Sequence, residues 1–410
     1  MFAPGFAPYA ASENLVSSKL ALAMLDRGWH VDVISRQDEG FNYGQDWVEP
    51  WLPLRPFTHE IVATRDKAPW RQISRGWHSL RMGHPLAGVR WASEAVDLAM
   101  DLHRQQRYDV VLSRAVSGLA HLPALRFCHK TQVPWIANWN DPPGYFFPPP
   151  YAPTGNPIDR FFWKRFLLQA ASRANFNTFP SGRLARYVLG RLGLTNEDNV
   201  RIIPHVMMPG FQADSLPPSE CFRLCHAGNL SAERNPGGIL SALSRFKASP
   251  AGPVSFRLEF IGVEDVGLAS LIAQHGLKDN VRFTGRLNYI DTLRRLAGND
   301  VLVIVEAPCE EGIFLPSKLM DYVQAQRPVL SISPLRGTIR DLLSAHGGGL
   351  AVDVRSPDGI LAALRGLYRQ WQENQLGVYR SEALTRMFSP QTILDQYEAL
   401  FEALRLRKQT

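Results

Sequence analysis

The sequence is poor in cysteine. Cys128, Cys221, Cys225 and Cys309 are the only four in 410 residues. That is too few for a disulfide framework in a chain of this length, and it points to a reducing compartment, the cytoplasm. No window approaches the 18 or more apolar residues of a membrane span, so any membrane contact is expected from the side. The opening Met1-Phe-Ala-Pro-Gly-Phe6 lacks the basic flank and apolar run of a secretory leader. No Asp-x-Asp pair occurs, which removes the usual ligand set for a divalent metal on a diphosphate. Cys221, Cys225 and His226 stand close together, but the stretch from Phe222 to Ala227 reads as a buried strand rather than a metal site. Internal repeats are absent as well.

What remains is ordinary for a globular protein: 45% hydrophobic and 20% charged residues, enough for two domains of roughly 200 residues each. Lys and Arg number 45 against 38 Asp and Glu, a formal net charge of +7. An anionic partner fits that excess, whether a phosphorylated ligand, an anionic lipid surface or nucleic acid. No helix-turn-helix, zinc finger or aromatic RNA platform signature supports the last of these.

Strand-like and helix-like segments alternate throughout, the pattern of parallel α/β sheets. Leu15 to Arg27 has helical spacing and ends at Gly28. Short buried strands are expected at Val31 to Ile34, Tyr108 to Leu112, Pro134 to Asn138 and Asn199 to Pro204. The stretch from Met207 to Pro218 has no periodicity and many turn formers, which marks a linker. A second series follows: Phe222 to Ala227, Arg257 to Ile261, Val281 to Phe283, Val301 to Val305 and Val329 to Ile332. Ser389 to Leu406 is an amphipathic helix. The expected organisation is two Rossmann-like, doubly wound α/β domains facing across a cleft, with residues 1–205 on the acceptor side and 206–385 on the nucleotide side. Residues 386–410 form a helix returning to the first domain. The first turn, Pro4 to Ser12, begins almost at Met1. The first strand of a doubly wound domain is therefore expected to be missing, with the true start upstream.

Two stretches carry chemistry. From Glu306 to Leu330 a strand gives way to an acidic loop, Glu310-Glu311-Gly312, and then to a helix opened by Pro316 and Ser317 and running to about Gln326. The first turn of such a helix presents free N–H groups and positive dipole to a phosphate. Lys318 adds a full charge, and Asp321, three residues on, shares its face and suits a ribose diol. The glutamates and the Gly312 N–H suit sugar hydroxyls. Singly, each residue reads as solvated surface. Clustered at the carboxyl end of a parallel strand, they read as a ligand site. The second stretch runs from Leu224 to Ile239. Gly228 there permits close backbone approach, and Arg234 can fork onto two phosphate oxygens.

Together these stretches resemble the donor-binding domain of retaining glycosyltransferases with the GT-B fold, especially glycosyltransferase family 4. In that family a Gly turn carries an Arg and then a Lys onto the donor diphosphate; here Asn229 and Arg234 stand in those places. Glu311-Gly-Ile-Phe-Leu-Pro316 resembles the family's Glu-Gly motif. Its second Glu is replaced by Asp321, two residues later than the family spacing. A subgroup with P-x-K-x-x-E-Y is closer, and Lys318 is then its lysine. Val281-Arg-Phe-Thr-Gly285 resembles the turn that cradles the base, which implies Arg286 and Leu287 beside it. Asn299-Asp-Val-Leu-Val303 and Arg327-Pro-Val-Leu-Ser331 also match family strands. At the other end, Pro8 to Asn14 and the helix up to Val31 resemble the N-terminal turn, although the family's paired glycines are Ala-Ser-Glu here. A family histidine expected before Asp141 is absent, since the sequence reads Asn138-Trp-Asn140-Asp141, so no catalytic histidine is carried over.

The resemblance implies a metal-independent transferase. Arg234, Lys318 and Glu311 would act at the reaction centre, and Gly228, Asn229, Arg286, Leu287, Glu310, Gly312, Ser317 and Asp321 would hold the donor. Ser12, Glu13, Asn138, Asn140 and Asp141 are acceptor-side candidates, a capped Asp-Pro turn being the plainer reading of the last three. No cofactor is implied beyond a UDP- or GDP-linked sugar as co-substrate. The expected acceptor is a glycan or a lipid-linked sugar, in polysaccharide or surface-glycan synthesis. The Arg- and Trp-rich stretch 65–90 and the aromatic, proline-rich loop 141–151 suit either an anionic membrane or the lining of the cleft. Two rivals stay open: a nucleotide-sugar epimerase or hydrolase on the same fold, and a non-catalytic sugar-binding protein.

Overall fold

The computed structural model describes residues 1–9, 11–38, 47–63, 69–115, 118–195, 197–214, 219–249, 255–263 and 266–407. Ala10 of the N-terminal turn, residues 65–68 of the Arg- and Trp-rich stretch and residues 215–218 of the expected linker lie outside them. Contacts divide the chain into two compact units. Unit 1 holds residues 1–147, 152–209 and 390–410, and unit 2 holds 148–151 and 210–389.

Unit 1 runs α1 (Ser12–Asp26), β1 (Val33–Asp38), β2 (Thr58–Ala63), α2 (Pro69–Met82), α3 (Val89–Gln105), β3 (Val111–Ala115), α4 (His121–Thr131), β4 (Trp135–Trp139), α5 (Pro157–Arg173), β5 (Phe176–Phe179), α6 (Gly182–Leu192) and β6 (Val200–Ile202). Two parallel groups, β1-β2 and β3-β4-β5-β6, are joined by the first residues of the chain. Phe2 bridges Ile34 and Ser113 in parallel, and its N–H donates to the Leu112 carbonyl at 2.9 Å. The place expected to lack its first strand thus holds Phe2, bridged to β1 on one side and β3 on the other.

Unit 2 runs β7 (Phe222–Ala227), α7 (Gly237–Lys247), β8 (Phe256–Ile261), α8 (Val266–Gln274), β9 (Val281–Phe283), α9 (Tyr289–Ala297), β10 (Val301–Val305), α10 (Lys318–Gln324), β11 (Val329–Ser333), α11 (Thr338–His346), β12 (Gly349–Asp353), α12 (Pro357–Gln372) and α13 (Glu382–Met387). The last helix, α14 (Pro390–Arg407), packs in unit 1. Its Ile393, Leu394, Tyr397, Leu400 and Leu404 join Leu20, Met24, Leu112, Ile136 and Phe176 in one core.

All strands of unit 2 are parallel, in the order β12-β11-β10-β7-β8-β9. The central ones are buried on both faces: every residue of β7, β10 and β11 is buried. That is why β10 reads as an unbroken run, Val301-Leu-Val-Ile-Val305, rather than as an alternating pattern. One end of this sheet is fastened by a buried ion pair. The Arg223 guanidinium grips Asp300 through Nε and Nη2, both at 3.0 Å, and the Arg223 N–H donates to the same carboxylate at 2.8 Å. The order of the strands leaves the other, carboxyl end as the ligand side. The chain departs in opposite directions from β7 and β10, which are neighbours, and the loops after them part to leave a crevice.

Beyond β9, the chain enters α9 through an Asn288 N-cap, whose side-chain oxygen accepts from the Asp291 N–H at 2.8 Å. Removing a cap of this kind costs ~1 kcal/mol. Asn288→Ala should therefore lower the unfolding free energy of unit 2 by that amount, measured as a lower urea midpoint with an unchanged m-value.

Candidate functional site

At the carboxyl end of β7 the backbone turns through Gly228 at φ +94°, a region side-chain-bearing residues rarely adopt. A Cβ built there would lie 3.5 Å from Lys318 Nζ. The positive φ is what favours glycine at this place, and the turn brings its backbone against the lysine. Lys318 is the first residue of α10, after β10, so the two sides of the switch point meet at this contact. The Ser317 hydroxyl makes no capping bond, and α10 ends at Gln324, earlier than the expected Gln326. The short helix follows from its surroundings: Ala325 closes it and Gln326 turns to φ +58° before Pro328.

Lys318 is held by a residue that the sequence reading treated as plain strand. His226 Nδ1 lies 2.9 Å from the Val303 carbonyl, an oxygen that can only accept, so Nδ1 carries the proton. Nε2 is then the acceptor and faces Lys318 Nζ at 3.2 Å. Burial and the adjoining lysine keep the His226 imidazole neutral. Burial, with Arg234 nearby, brings the Lys318 ammonium down from its usual range to about 7, while Asp321 pulls the other way. The Asp321 carboxylate is buried and accepts from the Tyr289 hydroxyl at 2.6 Å. Arg234 donates through Nε to the Tyr151 hydroxyl at 3.0 Å, and its guanidinium lies 5.9 Å from the centre of that ring. Arg234 influences Lys318, His226 and Glu306 alike, which makes it the second positive centre of the group.

The structure therefore gathers Gly228, Arg234, Lys318 and Asp321 and adds His226, Tyr151 and Tyr289. Asn229 is exposed beside them, its Oδ1 close to Gly262. Arg286 and Leu287 are exposed in the loop after β9, three and two residues before Tyr289. Glu310 is turned to the surface and accepts from Arg336 Nη2 at 3.0 Å. Glu311 is half-buried next to Gly312, whose backbone bonds both ways across to the next loop: its N–H donates to the Arg336 carbonyl and its carbonyl accepts from Thr338 N–H. Glu306, which the sequence reading passed over, is buried at the end of β10. Burial pushes its carboxyl up to about 7 against the opposing influence of Arg234 and Arg340.

Unit 1 assembles its own polar group. Glu13, in the first turn of α1, accepts from Asn140 Nδ2 at 2.8 Å and is hydrogen-bonded to Asp141. Burial and the Asp141 charge raise the Glu13 carboxyl well above the usual range. Arg114 reaches Asn140 Oδ1 at 3.3 Å and Ser17 Oγ at 3.2 Å. The two places where the sequence departs from the family pattern, the N-terminal turn and the residue before Asp141, are thus in contact. Asn138 spends its amide on Thr178 within the sheet, and Ser12 is exposed without a capping bond. A cavity of about 620 Å³ in unit 1 is lined by Trp29, Val31, Tyr108, Val110 and Phe401. It lies at the amino ends of β1 and β3, away from the end where open α/β sheets bind ligands.

Among the described residues, no group of three or more His, Cys, Asp or Glu side chains is placed to hold a metal ion, and no helix is long and apolar enough to cross a membrane. No protein-family model matches the chain, and no curated protein sequence does. Solved structures match it over nearly its whole length. A sucrose-phosphate synthase from Thermosynechococcus elongatus has a TM-score of 0.67 at 14% identity, covering 99% of this chain and 98% of that one. A glycosyltransferase from Rickettsia africae has a TM-score of 0.64 at 11% identity, covering 97% and 96%. A protein named as a UDP-N-acetylglucosamine 2-epimerase from Listeria monocytogenes has a TM-score of 0.57 at 12% identity, covering 96% and 95%. At such identities the likeness establishes the fold: two Rossmann-like α/β domains of the GT-B type.

Proposed function

We propose that the chain is a glycosyltransferase that moves a hexose-type sugar from a UDP- or GDP-linked donor, held by unit 2, to a glycan or lipid-linked acceptor. The observation that carries this reading is the pairing of Lys318 and Arg234 at the β7–β10 switch point, with the buried Asp321 next to them. A departing nucleoside diphosphate gains negative charge as the glycosidic bond breaks. Fixed positive groups in a partly dehydrated site stabilise that charge most where it develops. Arg234 supplies a permanent guanidinium. Lys318 supplies a charge that the incoming diphosphate itself calls up. Asp321, oriented by Tyr289, suits the ribose hydroxyls, and the Gly312 turn with Glu311 suits the sugar. Asn229 and Ser317 belong to the diphosphate side in this reading, and Arg286 with Leu287 to the base.

On the acceptor side, the Glu13–Asp141 pair and Asn140 suit an attacking hydroxyl. The finer points follow the family resemblance: retention at the anomeric carbon, independence of metal, and a role in polysaccharide or surface-glycan synthesis. So does a cytoplasmic site of action, with peripheral membrane contact, in keeping with four unpaired cysteines. The test is a binding and product analysis with UDP-glucose, UDP-N-acetylglucosamine and GDP-mannose, each given alone and then with oligosaccharide or polyprenyl-phosphosugar acceptors. Transfer that requires an acceptor supports the reading. Rearrangement of the donor sugar without any acceptor would assign the chain to the epimerases instead.

A further inference from the structure

Glu306 is the first residue beyond β10, and its N–H donates to the Ile332 carbonyl at 2.9 Å, so the backbone is still anchored to β11 there. Five apolar residues lead into it, and then a carboxyl group appears at the carboxyl end of a central strand. The residue is 7% exposed, and its Oε2 has no hydrogen-bond partner. Buried polar atoms are nearly always satisfied, and an orphaned carboxylate oxygen calls for an explanation.

The surroundings supply one. Arg234 and Arg340 are the cations that act on this carboxyl, and Tyr151 and Cys309 are the other titratable groups that feel it. Arg340 donates from Nε to the Pro334 carbonyl at 3.0 Å and from Nη1 to the Ala351 carbonyl at 2.9 Å. Its Nη2 is buried without a partner. One acceptor and one donor are therefore left open in the same neighbourhood. Gly312 packs against the same carboxyl: a Cβ there would sit 3.4 Å from Oε2 and 3.6 Å from Oε1 of Glu306, in contact with both.

Once ionised, the carboxyl repels a diphosphate, whose oxygens would face a carboxylate oxygen. A hydroxyl satisfies this arrangement, since it donates one hydrogen bond and accepts others. On the reading of unit 2 as a nucleotide-sugar site, we propose that Glu306 is a specificity-determining residue that accepts a hydrogen bond from a hydroxyl of the transferred sugar, leaving the diphosphate to Lys318 and Arg234.

Calorimetric titration separates this role from that of the diphosphate groups. The probes are UDP, UDP-glucose, UDP-galactose and UDP-N-acetylglucosamine, with GDP and GDP-mannose in parallel. The proteins are the wild type, the isosteric Glu306→Gln and Glu306→Ala. A lost hydrogen bond to a charged or acid group is worth about 10- to 100-fold in affinity. Both variants should bind the free nucleoside diphosphate within about twofold of the wild type. They should bind the matching nucleotide sugar at least tenfold more weakly, with the preference between glucose and galactose epimers reduced. If free nucleotide and nucleotide sugar weaken in parallel, Glu306 merely supports the fold and the proposal fails. If neither changes, a buried water is its partner and the proposal fails equally. A wild type that binds no nucleotide at all would instead overturn the donor-site reading. Glu306→Gln keeps the volume and backbone of the wild type, so the comparison survives even if the alanine variant does not fold.

Discussion

Lys318→Met is expected to weaken nucleoside diphosphate binding by about 10- to 100-fold and to lower donor turnover by about 10²- to 10³-fold, while raising the melting temperature of the empty protein at pH 6. Both effects have one source. The ammonium is packed against His226 and the Gly228 backbone, and burial has brought it down to about 7. Unfolded, it titrates at 10.5. Between those values the unfolded chain binds the proton and the folded chain does not, so stability rises with pH across that window. Below pH 7 both states carry the charge, and the folded state bears the full penalty of holding it away from water. Methionine removes that penalty. A diphosphate reverses the balance by bringing negative charge to Nζ, so the wild type should take up a proton on binding near neutral pH. Its affinity should then fall as pH rises above 7, and the methionine variant should lose that slope. Arg234→Lys should keep the slope, because the titrating group is untouched. Equal pH profiles for wild type and Lys318→Met would remove Lys318 from the diphosphate site.

How much of this was legible beforehand depended on the distance between partners along the chain. Three strands of unit 2, β7, β9 and β10, are where the pattern put them to the residue. Three others were missed. Phe176-Asn-Thr-Phe179 is only four residues long and has polar side chains at two buried positions, so neither an alternation nor an apolar run marks it. Thr58–Ala63 and Gly349–Asp353 are only partly buried and mix polar with apolar residues. Within the site, Lys318 and Asp321 could be paired from sequence because one helical turn separates them. The bonds that orient them could not. His226 lies 92 positions from Lys318, and Tyr151 lies 83 from Arg234. Glu13 and Asn140 are 127 apart. Such pairs are set by strand order, which no local spacing encodes. Glu306 carried a signal that went unused: an acid placed directly after five apolar strand residues, at the end of the sheet where ligands bind.

That acid sets the second large effect. Glu306→Gln should stabilise the empty protein by about 3 kcal/mol at pH 7.5 and by almost nothing at pH 4.5. The ordinary value for the carboxyl is 4.5, and in the folded protein burial has raised it to about 7. An acid with a raised folded-state value loses stability as pH rises. Below 4.5 it is protonated in both states and costs little. From 4.5 to 7 the unfolded chain releases the proton while the folded chain keeps it, and the deficit grows. Above 7 both are ionised, the deficit is constant, and the folded state contains a carboxylate oxygen with no partner. Glutamine has the same shape and no proton to release, so the difference between the two proteins isolates this one group from other titrating residues such as Glu13. Urea denaturation of unit 2 at half-unit pH steps from 4.5 to 8 measures it. A flat difference across that range would show that Glu306 ionises normally and is solvated in the folded state. A difference that opens between 4.5 and 7 and then levels off would mean that wild-type unit 2 tolerates, at neutral pH, a destabilising acid as well as a destabilising lysine. Both would be relieved by one ligand, since a nucleotide sugar brings phosphate charge for Lys318 and a hydroxyl for Glu306. Saturating nucleotide sugar should therefore raise the midpoint of the wild type more than that of either variant.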